Sequence, residues 1–351
     1  MKKLAILFGG ISTEHDVSIV SGLSVLKNVN RKKYEVYPIY IDCIGNFYIY
    51  NEENNLNKIS VGHKVDNIEK IDNIIEYLSN IDVIFPVLHG SYGEDGALQG
   101  LLEWINKPYV GCNIFASSVC MDKLYAKVIF ERAGIKQSKY EYIKKYNNSY
   151  IFVDKYFNET IMDLEEVIKI LEKNLKYPMF VKPANSGSSV GISKVKEKDE
   201  LRKGIEYASE FDRKIIIEEG IVGKEVECAV LGNEDVEASC LGQIIPPEDD
   251  FYSYEAKYKN DKAKLVIPLK INIEEEVRKT AIKAFKAVDG KGLSRVDFFV
   301  TDNDEIYINE INTMPGFTDI SMYSKLWNES GIKYSDLIDK LIDLAFECNK
   351  K

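Results

Sequence analysis

The sequence predicts a mixed fold, with a parallel α/β unit first and α+β structure after it. Three observations predict this. Short apolar runs alternate with helical spacing over about the first 115 residues, the pattern of a parallel sheet with crossover helices. Beyond about residue 136, strand-like runs come in pairs joined by short polar turns, which reads as antiparallel structure beside helices. With 351 residues, 45% of them hydrophobic, the chain suits two or three packed domains rather than one small core.

In chain order, LAILF at 4–8 is the first strand and ends in Gly9-Gly10, with helical spacing from Val17 to Val29. VYPIYID (37–43), DVIFPVL (82–88) and PYVGC (108–112) read as further strands, with helical stretches at about 67–79 and 95–106. The polar stretch 51–72 reads as a surface connection. One helix is expected over 116–133, and 136–160 is rich in Tyr and Lys with little periodicity. Then follow a helix at 163–174, strands at 178–182 and 190–195, a helix at 198–210, and strands near 214–219 and 225–231. A polar loop at 246–263, a helix at 273–288, a hairpin over 295–312 and a last helix at 334–347 complete the reading.

Composition narrows the function. A net charge of −10 argues against a nucleic-acid backbone as the main partner, yet a local lysine cluster still suits a small anion. No apolar run approaches 18 residues, so no membrane span is expected. The N-terminus reads as a strand rather than an export signal, and the six scattered cysteines as reduced thiols, so the expected compartment is the cytoplasm. Three histidines and no CxxC pair make a zinc site unexpected.

The segment SRVDFFVTDNDEIYINEINTMPG (294–316) carries the strongest chemical signal. Two strand-like runs flank a polar turn. Pairing Thr301 with Ile306 places Val300, Phe299, Asp297 and Arg295 opposite Tyr307, Ile308, Glu310 and Asn312. Arg295, Asp297, Glu310 and Asn312 then share one face. Two carboxylates and an amide oxygen form a hard site that suits Mg²⁺ bridging nucleotide phosphates. A solvated hairpin is the competing reading, weakened because Asp297 and Glu310 interrupt apolar runs and buried carboxylates need a cation.

VKPANSGSSVG (181–191) joins two strands through small residues, either an ordinary turn or a cradle of backbone N–H groups for phosphate. It is neither a P-loop nor a dinucleotide fingerprint. Lys182, inside the apolar MFVKP, sits at a sheet edge or pairs with an anion. Lys123 alone on a helix reads as solvated. Glu218 and Glu225 flank a turn in IIIEEGIVGKEVE, where an apolar strand end suits a planar base. In FGGISTEHDVSIVSG, Glu14 at a helix start either complements the dipole or binds an ammonium. PVLHGSYGEDG (86–96) carries His89, Glu94 and Asp95 at another strand end, where open α/β sheets bind ligands; His89 also suits a buried structural role.

Taken together, GGISTEHDVSIVSG, HGSYGEDGALQG, CMDK, VKPANSGSSVGISKV, FYSYEAKY, SRVDFF and NEINTMPGFT, in this order, resemble the D-alanine–D-alanine ligases of the ATP-grasp fold over nearly the whole chain. The stretch 136–160 carries no matching motif. The resemblance implies an N-terminal parallel α/β domain (1–115) followed by a two-lobed ATP-grasp fold, with lobes at 116–212 and 213–351. It implies phosphoryl transfer from ATP to one D-alanine carboxylate and attack by the amine of a second, supplying peptidoglycan precursor. Phosphoryl transfer onto an anion fits the demand for Mg²⁺ and cationic clamps.

The resemblance also assigns residues. Asp297, Glu310 and Asn312 would hold two Mg²⁺ ions, with Mn²⁺ as a substitute. Lys123, Lys182 and Lys257 would contact phosphates or adenine, with Ser188 and Ser189 covering the phosphates. Glu218, Glu219 and Ile221 would hold adenine and Glu225 the ribose. Glu14 would bind the ammonium of the first D-alanine, with His89 near its carboxylate. Arg295 and the Gly316 N–H would form an oxyanion hole. Ser321 and Met322 would meet the second D-alanine. FYSYEAKY (251–258) would close as a lid, with Tyr258 linked to Ser188 and Glu14, keeping water from an acylphosphate. A homodimer is the family expectation. The apolar Met322 favours D-alanine over D-serine as second substrate, since the D-serine type tends to carry arginine there. The alternatives are a D-alanine–D-serine ligase and a non-catalytic nucleotide-binding regulator.

Overall fold

The computed structural model describes residues 1–51, 65–245 and 264–348. Lys257, Tyr258 and the expected lid at 251–258 lie outside the described residues.

The first layer is built on β1 (Lys2–Gly9), whose residues from Leu4 to Phe8 are wholly buried. It pairs in parallel with β2 (Tyr34–Ile41) on one side and β5 (Val83–Val87) on the other. Two antiparallel strands, β3 (Phe47–Tyr50) and β4 (Ile68–Lys70), extend one edge, so only the core of this sheet is parallel. Helix α1 (His15–Asn28) crosses β1 so closely that a Cβ on Gly22 would lie 2.3 Å from the Phe8 Cβ. Only glycine allows that approach. Helices α2 (Ile74–Ser79) and α3 (Ala97–Trp104) follow. The strand expected at 108–112 is a single bridge between Tyr109 and Ile84.

The single helix expected over 116–133 is two, α4 (Ile114–Met121) and α5 (Lys123–Arg132). Asp122 breaks them apart: its carboxylate accepts the Leu124 and Tyr125 N–H groups and caps α5. Both helices pack into the core of the third sheet described below, through Ala116, Cys120, Ala126 and Phe130.

The middle sheet has the order β10-β9-β11-β6-β7-β8. The Tyr- and Lys-rich stretch supplies three of its strands, β6 (Tyr140–Tyr146), β7 (Ser149–Val153) and β8 (Glu159–Met162). Next come α6 (Leu164–Asn174), β9 (Met179–Pro183), β10 (Ser193–Val195), α7 (Lys198–Ala208) and β11 (Lys214–Glu219). Position 212, the expected limit of the central lobe, falls before β11, yet β11 lies between β9 and β6.

The third sheet is β14-β13-β12-β15-β16, all antiparallel. Its strands are β12 (Lys224–Gly232), β13 (Glu237–Ile245), β14 (Lys264–Val266), β15 (Gly292–Val300) and β16 (Ile306–Asn312). Helix α8 (Glu274–Ala287) packs on one face through Val277, Ala281, Ala284 and Phe285. Helices α9 (Met322–Glu329) and α10 (Tyr334–Cys348) share a core with β1, β5 and α1, so the chain's last helices tie the third sheet to the first. No helix among the described residues is long and apolar enough to cross a membrane.

Candidate active site

The hairpin of β15 and β16 folds as the alternation of its residues demands. Val296, Phe298 and Val300 are buried beneath α8, while Arg295, Asp297 and Phe299 face the other way. Arg295 pairs with Asn312 and Asp297 with Glu310, as expected. The tip differs. A bulge at Asn309 shifts the register, so Val300 opposes Ile306, Phe299 opposes Tyr307 and Phe298 opposes Ile308. The extra residue absorbs one step of pairing without turning the acidic pair to the wrong face.

On the other side of Asp297 stands Glu227 of β12, so Glu227, Asp297 and Glu310 form a row across three strands. Arg295 neutralises part of it. Its guanidinium donates two bonds of 2.7 Å to Asp297 and lies 3.2 Å from Glu227. Burial opposes its charge, but Asp297 and Glu227 outweigh that and raise its pKa well above the ordinary value. Asn312 donates at 2.9 Å to Asp297 Oδ2, the same oxygen that accepts one of the two Arg295 bonds. No three His, Cys, Asp or Glu side chains converge as a ready metal cage among the described residues. The set Asp297, Glu310 and Asn312 instead fits an ion such as Mg²⁺, which takes few protein oxygens and fills its shell from phosphate and water.

The cationic side comes from α5 and the middle sheet. Lys123 donates at 2.7 Å to the Ser186 carbonyl and lies 3.9 Å from Glu310. It therefore touches both the glycine-serine loop and the acidic row. Lys182 on β9 bonds Glu218 on β11 at 2.7 Å, and Lys127 lies 3.1 Å from the other oxygen of the same carboxylate. Burial alone would raise the Glu218 pKa, but the two lysines outweigh it and hold it at about 2. In the loop, Ser188 and Ser189 adopt φ values of +51° and +60°, a left-handed conformation uncommon for non-glycine residues. Ser188 donates to the Glu14 carboxylate across the cleft.

The first layer supplies the remaining wall. Glu14 is buried just before α1 and close under two glycines: a Cβ on Gly90 would lie 2.7 Å from its Oε2, and one on Gly187 3.2 Å. Ser12 donates to the His89 carbonyl at 2.6 Å and accepts the Glu14 N–H at 3.0 Å. Both nitrogens of His89 are engaged by the protein. Nδ1 donates to the Met314 carbonyl at 3.0 Å, which leaves Nε2 to accept from Ser21 at 2.9 Å. Burial lowers its pKa, against the pull of Glu14, so the ring is a neutral strut. This favours the buried structural reading of His89. Glu94 ties the same corner, accepting the Gly90 N–H at 2.7 Å and the Met314 N–H at 3.1 Å.

These parts enclose one cavity of about 1040 Å³. Every candidate residue that falls within the described chain lines it. Its apolar wall includes Phe180, Ile192, Ile221 and Phe299. At that end the Glu219 carboxylate is taken up by the Lys176 N–H at 3.0 Å, while Glu225 lies on β12. Elsewhere on the wall, Ser321 precedes α9, its hydroxyl 2.7 Å from that of Thr318, beside Gly316 and the buried Met322. Lys127 and Glu227 are site residues with little signal in the sequence. The available hints are that Lys127 falls one helical turn after Lys123, and that Glu227 falls two residues after Glu225 in an otherwise apolar strand.

The chain is similar to known proteins along nearly its whole length. Family models described as D-ala D-ala ligase N-terminus and C-terminus match residues 3–112 and 129–343. The D-alanine–D-alanine ligase of Acetivibrio thermocellus is 47% identical, covering 99% of this chain and 96% of that one. That of Clostridium acetobutylicum is 46% identical, covering 99% of both. Among solved structures, the VanG D-Ala:D-Ser ligase from Enterococcus faecalis superposes with a TM-score of 0.84 at 37% identity, covering 98% of this chain and 99% of that one. The D-alanine–D-alanine ligase from Bacillus anthracis complexed with ATP gives 0.75 at 28% identity, covering 100% and 99%. On the matched models and the full-length identity, the chain belongs to the D-alanine–D-alanine ligase family.

Proposed function

We propose that this cavity joins two D-alanine molecules at the expense of ATP, through an acylphosphate, to supply a peptidoglycan precursor. One observation carries the reading: lysines on α5 and the middle sheet face an acidic row and an arginine on the third sheet across a single cavity large enough for a nucleotide and two amino acids. Phosphoryl transfer between two anions needs that pairing of cationic clamp and metal-binding oxygens.

On this reading the apolar end beside Phe180 and Ile221 takes adenine, with Glu218 and the main chain of Glu219 and Ile221 on its polar edge and Glu225 on the ribose. Lys123 and Lys182 hold the phosphates, and the backbone at Ser188 and Ser189 covers them. Asp297, Glu310 and Asn312 would hold Mg²⁺, two ions with Mn²⁺ as a substitute, which supplies charge neutralisation at the phosphates when bound. Glu14 orients the first D-alanine by its ammonium, and His89 keeps that corner in shape. Arg295 and the Gly316 N–H stabilise negative charge on the attacked carbonyl oxygen. Ser321 and Met322 receive the second D-alanine. Lys257 and Tyr258, outside the described residues, enter only through the family resemblance. A homodimer and a cytoplasmic setting belong to the same reading.

The test is mass spectrometry of products from ATP, Mg²⁺ and a mixture of D-alanine and D-serine, with ADP and phosphate followed in parallel. D-Alanyl-D-alanine as main product supports the reading. A D-alanyl-D-serine product would favour the alternative suggested by the VanG likeness. Nucleotide binding without turnover across D-amino acids would make the protein a regulator.

A further inference from the structure

The carboxylate of Glu218 is shared by two lysines from different elements. Lys182 comes from the neighbouring strand, at 2.7 Å, and Lys127 from α5, at 3.1 Å. Lys127 is 2% exposed, lies 5.4 Å from the Tyr140 ring centroid, and is 3.5 Å from the Ser138 hydroxyl. Unlike Lys182, it does not line the cavity. A lysine so enclosed cannot follow a ligand. Lys182 is at the cavity edge and can. Two ammonium groups on one carboxylate leave one positive charge in excess, which a bound phosphate would balance.

We infer that Lys127 is a positioning residue for the nucleotide: it keeps Glu218 paired inside the protein so that Lys182 is free to leave for a phosphate. Without Lys127, the departure of Lys182 would strand a buried carboxylate, so Lys182 stays on Glu218 instead. Burial lowers the Lys127 pKa against the pull of Glu218, while at Glu218 the two lysines outweigh burial and keep the carboxylate ionised. The inference rests on the nucleotide-binding reading of the cavity. It adds that recognition of the phosphates, but not of the nucleoside, depends on a lysine outside the cavity.

The experiment compares ADP and adenosine binding by calorimetry in wild type, Lys127→Met, Glu218→Gln and the double variant. ADP binding by wild type establishes the underlying reading separately, and its absence would overturn both. With ADP bound, Lys127→Met is expected to weaken ADP at least about tenfold while changing adenosine less than about twofold, a difference of more than roughly 1 kcal/mol between the ligands. Equal weakening of both ligands, as a merely structural lysine would give, overturns the inference, and so does unchanged ADP binding. Should Lys127→Met not fold, the charge-balanced double variant carries the test against Glu218→Gln alone. With Glu218 neutral, Lys127 should no longer matter and the two should bind ADP alike. A tenfold gap between them overturns the inference.

Discussion

Ser188 of the glycine-serine loop donates a hydrogen bond to Glu14 at the start of α1, linking residues 174 apart in the chain across the mouth of the cleft. Neither side chain could make this contact from within its own lobe. The bond fixes the loop over the phosphate end and aims the Glu14 carboxylate at the place proposed for the first D-alanine.

Ser188→Ala should therefore slow turnover without emptying the nucleotide site. Hydrogen bonds to charged groups contribute about 1.5–3 kcal/mol, so a loss of roughly 10- to 100-fold in kcat/KM for D-alanine is expected. Steady-state kinetics with each substrate varied checks it. An equal loss in ADP affinity would mean that the bond only holds the loop's shape.

Arg295→Ala should cost both catalysis and stability. Arg295 is the cation between Glu227 and Asp297, which oppose each other on adjacent strands. Removing it leaves carboxylates side by side. Breaking such a pair costs about 3–5 kcal/mol, and losing one oxyanion donor costs about 100- to 1000-fold in rate. Thermal unfolding should show a lower Tm that added Mg²⁺ restores in part, since a divalent ion can take the place of the lost charge. A Tm unmoved by both the substitution and the ion would contradict this account.

The hairpin shows how far sequence alone reached. Alternation along β15 and β16 fixes which residues share a face, so the pairing of Asp297 with Glu310 was legible. The bulge at Asn309 was not, because an inserted residue leaves no mark in a pattern of period two. The middle sheet was harder for a related reason. β6 to β8 are partly exposed, with Lys and Tyr on both faces, so no clean apolar alternation announces them. Lys127 carries little signal because burial of a helical lysine depends on a carboxylate brought to it by β11, more than eighty residues later.

Glu218 should govern part of the acid sensitivity. Its folded pKa, about 2, lies below the ordinary value of 4.5. The folded state then binds fewer protons than the unfolded chain between those limits. The stabilisation is complete above about pH 4.5 and is lost as pH falls towards 2. Glu218→Gln has no such proton to take up. Urea unfolding from pH 6 down to pH 3 should give a shallower fall for the variant, by up to about 1.4 kcal/mol per pH unit. Parallel curves for the two proteins would show that Glu218 is not held ionised by Lys127 and Lys182.

Gly242→Ala should act on the second substrate from behind. Gly242 lies on β13 beneath Met322, where an added Cβ would come within 2.7 Å of the Met322 sulfur and 3.1 Å of a Leu326 methyl. Both side chains belong to the core shared with α10, but Met322 alone of the two lines the cavity and has the more adaptable, unbranched side chain, so it is the one able to yield. Overpacking of this kind costs about 1–3 kcal/mol. The variant should unfold at a lower Tm and show a raised KM for the acceptor D-alanine, with the KM for ATP unchanged because Met322 begins α9 against the third sheet whereas Glu218 lies on β11 of the middle sheet. Dipeptide formation at varied D-alanine separates the cases: a drop in kcat with both KM values unmoved would place the relaxation in the sheet instead of at Met322.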